Sequence, residues 1–152
     1  MSRRDQIRMT DEEVEALLHS RQTMNVATFN HDGSIHLVAM WYGFIDGKPA
    51  FETYQKSQKV ANLRRDERMT VLIEDGDTYE ELRGVELVGR GAILDQRDDV
   101  MTVAKSVVER YMDVKPEDAA AAAEILSNKR VAVAMDIERV VSWDHRKLGG
   151  TY

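Results

Sequence analysis

Two Asp-Gly dipeptides constrain this chain more than any other feature. Asp32-Gly33 lies in Asn30-His31-Asp32-Gly33-Ser34, between the apolar runs 24–29 and 35–45. Asp46-Gly47 lies in Asp46-Gly47-Lys48-Pro49, just before the run 50–54. Asp-Gly between such runs is a hairpin signal, because the turn it favours matches the twist of the flanking strands. The spacing predicts three consecutive antiparallel strands, Met24 to Phe29, Ile35 to Ile45 and Ala50 to Tyr54. The middle run is apolar on both faces for much of its length, which places it at the centre of a sheet, covered on both sides. Small Ala39 and Gly43 interrupt that surface, and a glycine inside a strand marks a bulge or a close approach.

The rest of the chain extends this meander. Met69 to Glu74 and Glu86 to Leu94 read as strands, with Gly89 and Gly91 on one face suggesting the bend that closes a barrel. Val131 to Ile137 is the last strand expected. Residues 1–9 are polar and expected to fray. Thr10-Asp11-Glu12-Glu13 is a capping box, opening a helix that carries Val14, Leu17 and Leu18 and ends near Ser20. Asp95 or Arg97 opens a broad amphipathic helix through Met112, and Pro116 starts another that continues over Ala119 to Leu126. Residues 75–83 form an acidic loop, and the tail from Val140 to Tyr152 combines Trp143, His145, Lys147 and Gly149-Gly150. About six strands with helices at these places predict an α+β fold, a barrel-like antiparallel domain with peripheral helices. Residues 1–152 read as a single domain.

Composition narrows the chemistry. A net charge of −6 argues against a general nucleic-acid surface, and any anion site must be local. With no cysteine there is no thiolate nucleophile or Cys-ligated metal. His19, His31, His36 and His145 lack ligand spacing, so no metal site is expected, and no Gly-x-Ser-x-Gly, Walker or dinucleotide motif occurs. No apolar run approaches the ~20 residues of a membrane span, and the start lacks a signal core, so the expected location is cytoplasmic, without a membrane partner. An enzyme built from this chain is expected to rely on a cofactor.

One stretch points to where that cofactor would sit. Phe51 to Tyr54 runs into a short helix with Ser57 as its N-cap, Val60, Ala61 and Leu63 as its apolar stripe, and Arg64 and Arg65 at its end. Lys56 and Lys59 crowd the N-terminal end, where free N–H groups are already partly positive. Two ammonium groups, a hydroxyl and free N–H groups suit a bound phosphate. The alternative is that both lysines lie in solvent, and charge placement alone leaves the two readings equal.

Nearly the whole chain resembles the split β-barrel flavin- and deazaflavin-binding proteins related to pyridoxamine 5′-phosphate oxidase. The resemblance lies in Met24-Asn25-Val26-Ala27-Thr28, Phe51-Glu52-Thr53, Lys56-Ser57-Gln58-Lys59-Val60-Ala61-Asn62-Leu63-Arg64-Arg65-Asp66, Val88-Gly89-Arg90-Gly91-Ala92 and Ser142 to Gly150. The Ser-x-Lys-x-x-Asn-Leu-x-Arg-Asp element is similar to that of the branch using coenzyme F420. The resemblance implies an antiparallel split β-barrel, a homodimer, and a cofactor groove between subunits. It implies that Lys56, Ser57 and Lys59 hold the phosphate, with Thr53 and Asn62 close by, and that Val38, Ala39, Met40 and Trp41 lie along the ring system. The activity implied is hydride transfer from reduced F420 to a small conjugated substrate, with Tyr54, His145 or Lys147 as candidate proton donors and Trp143 as a candidate pocket cap. FMN is the alternative cofactor; a cofactor carrier or a haem-binding relative, ligated by His36 or His145, is the non-enzymatic alternative. Two departures speak against pyridoxamine-phosphate oxidation: the oxidases' Arg-x-Val-Leu-Leu-Lys strand is His36 to Trp41 here, and Gln58 replaces an Arg between the Ser and Lys. Glu67 stands where relatives often carry a proline.

Overall fold

The computed structural model describes residues 1–150; Thr151 and Tyr152 of the predicted tail lie outside the described residues. Both Asp-Gly turns form hairpins. In the first, β1 (Met24–Phe29) pairs with β2 (Ile35–Met40) from Met24↔Met40 to Phe29↔Ile35, and the Ser34 N–H donates to Asp32 Oδ1 at 3.0 Å. In the second, β3 (Gly43–Ile45) pairs with β4 (Lys48–Tyr54) through Asp46 and Gly47, at φ 49° and 75°. Two consecutive positive φ values are what a two-residue turn of this hand requires.

The run Ile35–Ile45 is not one central strand. It breaks at Trp41-Tyr42, and its halves become the two outermost strands of the order β2-β1-β5-β6-β7-β4-β3, in which β5 is Arg68–Asp75, β6 Arg83–Leu94 and β7 Arg130–Asp144. Apolar residues on both faces do not by themselves place a run at the centre of the sheet. Here one face of β2 packs on the core and the other, with Ile35 and Leu37, is open. Because two residues alone join the outermost strands, the sheet must curl until its edges meet, giving a half-barrel with a seam beside β2. The break makes seven strands rather than about six.

Buried contacts pin the break. Tyr42 is fully buried, donates its hydroxyl to Leu18 O at 2.5 Å, and has its phenol pushed up to about 12, chiefly by burial. Arg110, on helix α4 (Arg97–Tyr111), bonds Tyr42 O and Ser20 O at 2.9 Å and lies 4.6 Å over the Tyr42 ring. A Cβ at Gly43 would lie 2.5 Å from Ser106 Oγ on the same helix, so glycine permits the close approach.

The bend expected near Gly89 is a bulge between Val88 and Gly89, where Gly89 pairs with Ile137 and Val88 with Arg139, leaving Glu138 extra. A Cβ at Gly89 would sit 2.0 Å from Asp136 O. The extra residue breaks the alternation of β7 just past Ile137, the last residue expected in the strand. The strand continues to Asp144, so the predicted tail begins as strand, from Val140 to Asp144.

Inside lie Met24, Val26, Val71, Ile73, Val85, Leu87, Val133 and Met135. Leu17 and Leu18 of α2 (Asp11–Leu18) join them, as do Val100, Val103 and Val107 of α4. Each such side chain contributes about 1.5–3 kcal/mol on burial. Helix α5 (Ala119–Leu126) packs Ala119 and Ala123 on Ala104 and Val108. The first nine residues, expected to fray, include a one-turn helix, α1 (Arg3–Gln6), because Ser2 and Asp5 form their own capping box. No helix among the described residues is long and apolar enough to cross a membrane.

Candidate functional site

The seam opens where the chain leaves β3. Residues 51–54 of β4 pair with β7 on one side, from Phe51↔Val133 to Tyr54↔Arg130, while β3 covers only 48–50 on the other. Had the run 35–45 continued straight, Met40 would stand opposite Thr53. Helix α3 (Gln58–Arg65) crosses this end of the barrel. Asn62 anchors it, donating to Thr28 Oγ1 and Asn30 Oδ1 at 3.0 Å and accepting from Gln58 at 2.8 Å. Leu63 anchors it too, since a Cβ at Gly91 would lie 3.0 Å from its methyls.

At the start of α3 the local rules of helix initiation are incomplete. Ser57 has N-cap backbone angles, φ −71° and ψ 157°, yet its side chain makes no cap bond. Its hydroxyl instead lies 3.4 Å from the Thr53 hydroxyl. No acidic residue occupies the first turn. Lys56 is exposed, but Lys59 is 8% exposed, and its ammonium has no hydrogen bond or ion pair with any described residue. Most of the Lys59 side chain is therefore covered, while its ammonium keeps some contact with solvent. Burial, and then the nearby Arg130 charge, hold its ammonium below the usual lysine range, with Glu52 opposing.

Glu52 and Arg130 are the members the sequence reading passed over. Glu52 is 5% exposed and accepts from Arg130 Nη1 at 2.5 Å. Burial pushes its carboxyl up, against the pull of Arg130 and then Lys59. The guanidinium lies 4.2 Å over the exposed Tyr54 ring. A signal existed: Glu52 stands in a strand whose neighbours are buried on both faces, so its carboxylate needed a cation. Which cation depended on the β4–β7 register, a nonlocal pairing.

The structure thus gathers Thr53, Ser57 and Lys59 at one end of the seam. Asn62 is close in the chain but fully buried, with its amide engaged by Thr28, Asn30 and Gln58. On the β2 wall, Val38 and Met40 pack inward on the core, Ala39 is exposed, and Trp41 is 48% exposed, stacked on Tyr111 at 5.0 Å and 3°. Tyr111 is itself held, its hydroxyl donating to Gln22 O and its carbonyl accepting from Arg21.

The tail candidates are engaged elsewhere. His145 Nδ1 lies 2.9 Å from Tyr79 O, and Lys147 donates to Glu13 Oε2 at 2.6 Å and Arg8 O at 2.9 Å. Trp143 packs where a Cβ on Gly84 would be, 2.3 Å from its ring. No group of three or more metal-ligating side chains occurs among the described residues.

The outer sheet face beside the seam is apolar. Ile35 and Leu37 are 64% and 67% exposed, and a groove of about 470 Å³ runs past Ala27, Phe29, Ile35, Thr70 and Val88 to Arg68 and Arg90.

Comparison with known proteins fits this geometry. The family described as pyridoxamine 5′-phosphate oxidase matches residues 10–144. A conserved hypothetical protein from Mycobacterium tuberculosis is 42% identical over 100% of this chain and 95% of its own, with a TM-score of 0.92. An F420 reductase shares the fold at 22% identity, covering 83% of this chain and 94% of its own, with a TM-score of 0.62. A haem storage protein from Vibrio cholerae does so at 10% identity, covering 87% and 94%, with a TM-score of 0.66. No curated protein matches the sequence.

Proposed function

Because the chain belongs to the pyridoxamine 5′-phosphate oxidase family, we propose that its seam binds coenzyme F420 and that the protein reduces a small, electron-poor conjugated substrate. The observation that carries this reading is Lys59, whose side chain is largely covered while its ammonium keeps some contact with solvent and finds no partner among the described residues, beside an uncapped helix start. Covering such a group further, under a bound cofactor, is costly unless an anion joins it. A phosphate there also receives the free N–H groups of α3.

In this reading Lys59, Lys56 and Ser57 hold the phosphate, Arg130 adds a partly buried cation, and Thr53 orients Ser57. Asn62 acts through the helix it anchors. Residues Val38 to Trp41 flank the ring system along the free edge of β2. When bound in reduced form, the deazaflavin supplies the hydride. The chain contributes position and exclusion of water. Of the three candidate proton donors, Tyr54 alone keeps its polar atom unbonded among the described residues, and its hydroxyl is the donor in this reading.

The functional unit in this reading is a homodimer. Ile35 and Leu37 leave large apolar side chains in water beside the groove, and burial under a second copy would contribute about 1.5–3 kcal/mol for each. A stable monomer by sedimentation at micromolar concentration would remove the intersubunit site.

Adding F420 and FMN separately to purified protein tests the cofactor, and reduced F420 with a panel of enones and quinones tests the reaction. Absence of F420 binding ends the reading; a yellow protein that releases FMN on denaturation transfers it to the flavin. The haem alternative finds less support, since His145 meets Tyr79 O and His36 lies in an open polar pocket with His31, Asp32 and Gln58.

A further inference from the structure

The charges beside Lys59 can be summed. Lys59 is 8% exposed without a partner, Glu52 is 5% exposed, and the Arg130 guanidinium sits on the Glu52 carboxylate at 2.5 Å. Arginine stays protonated, and its contact favours the ionised carboxylate. One ammonium, one guanidinium and one carboxylate leave a single positive charge in a partly covered corner, where charges are less screened than in open water. Lys56 adds a further cation, but at an exposed position where solvent screens it.

Phosphates differ in the charge they bring. A phosphomonoester such as FMN loses a second proton near pH ~6 and is mostly a dianion at neutral pH. A phosphodiester, the form in F420, has no second acidic hydroxyl and stays a monoanion. The monoanion neutralises the corner. The dianion leaves an excess negative charge close to the Glu52 carboxylate, and like charges so placed oppose binding.

We propose that Glu52 makes this site selective for a phosphodiester over a phosphomonoester, by cancelling one of its two partly covered cations. The proposal rests on the reading of the cradle as a cofactor-phosphate site. It separates two roles for Glu52. A mere tether for Arg130 would affect every phosphate ligand alike; a charge filter affects them according to their charge.

The test measures dissociation constants for FMN, for riboflavin 5′-methylphosphate (its methyl diester) and for F420. Wild-type protein is expected to bind the methyl diester at least about tenfold tighter than FMN. Glu52→Gln keeps the shape and an acceptor for Arg130 while removing the charge, and it is expected to bring the two flavins within about threefold, mainly by tightening FMN. Equal or tighter binding of FMN by wild-type protein overturns the proposal, as does a uniform change of all three ligands in Glu52→Gln. If that variant does not fold, the wild-type pair of flavins still decides. The double variant Glu52→Gln, Arg130→Gln also decides, because it restores the single net charge and should restore the diester preference. Lys59→Ala separates the two levels: unchanged affinity sinks the phosphate site itself, whereas weakened affinity with an unresponsive diester-to-monoester ratio sinks only the charge filter.

Discussion

Helices α2 and α3 are both eight residues long, and they begin in opposite ways. At α2 the Glu13 N–H donates to Thr10 Oγ1 at 3.2 Å and the Thr10 N–H donates to Glu13 Oε2 at 2.7 Å, with Asp11, Glu12 and Glu13 all in the first turn. That start is closed by the chain's own groups. At α3 the serine does not cap, the first turn has no acid, and a lysine is buried where a carboxylate would be favoured. The same element therefore serves two ends. One start is completed by folding; the other, in the reading proposed above, is completed by an anion.

The largest blow to this contrast is Glu52→Ala. It leaves Arg130 and Lys59 together without a counter-charge; removing one member of a buried ion pair costs about 3–5 kcal/mol, and with the Arg130 side chain still 20% exposed the lower end of that range is expected. Chemical denaturation should show a loss of that size, partly recovered by saturating inorganic phosphate. A loss under about 1 kcal/mol would mean that the pair behaves as a solvated surface bridge, and that charges in the corner are screened as in open water.

Lys59→Ala comes next and acts on binding rather than stability. A hydrogen bond to a charged group is worth about 1.5–3 kcal/mol, so cofactor affinity should fall roughly ten- to a hundredfold. Folding stability should hold or rise, because an ammonium without a partner has been removed from a largely covered side chain. The pH dependence has a definite sign. In the folded protein the Lys59 ammonium titrates below the usual 10.5, so within that window the unfolded chain binds more protons and stability rises with pH. Below the window the cost of burying the charge is present in full. An anion favours the ammonium, so affinity should be greatest below the folded Lys59 pKa and fall as pH rises through it toward 10.5. Titrations from neutral pH upward check this; a flat profile would show that Lys59 does not meet the ligand.

What could be read in advance follows the reach of each signal. The Asp-Gly hairpins, the Thr10 capping box and the Gly89 bend depend on residues close in sequence, and each appears where expected. The break at Trp41-Tyr42 does not, because it is held by Leu18, Ser20, Ser106 and Arg110 from distant helices. The same holds within the site. Lys56, Ser57 and Lys59 stood out as a misplaced charge pattern over four residues, whereas Glu52–Arg130 needed the β4–β7 register. That His145 and Lys147 are tied to Tyr79 and to Glu13 likewise depends on where β7 delivers the chain end.

The smallest effects are the sharpest comparison of the two helix starts. Thr10→Ala removes a working cap and should lower stability by about 1 kcal/mol, with cofactor affinity unchanged. Ser57→Ala removes a hydroxyl that caps nothing, so its stability cost should stay within about 0.5 kcal/mol, as for surface changes that touch no such feature. Its effect should appear in affinity instead, because the lost hydroxyl is one of the groups offered to the phosphate. Paired denaturation and titration curves for the two variants make the prediction a crossover: one loses stability and keeps binding, the other keeps stability and loses binding. If both variants lost stability equally and bound normally, Ser57 would be an ordinary cap in solution, and α3 would begin as α2 does.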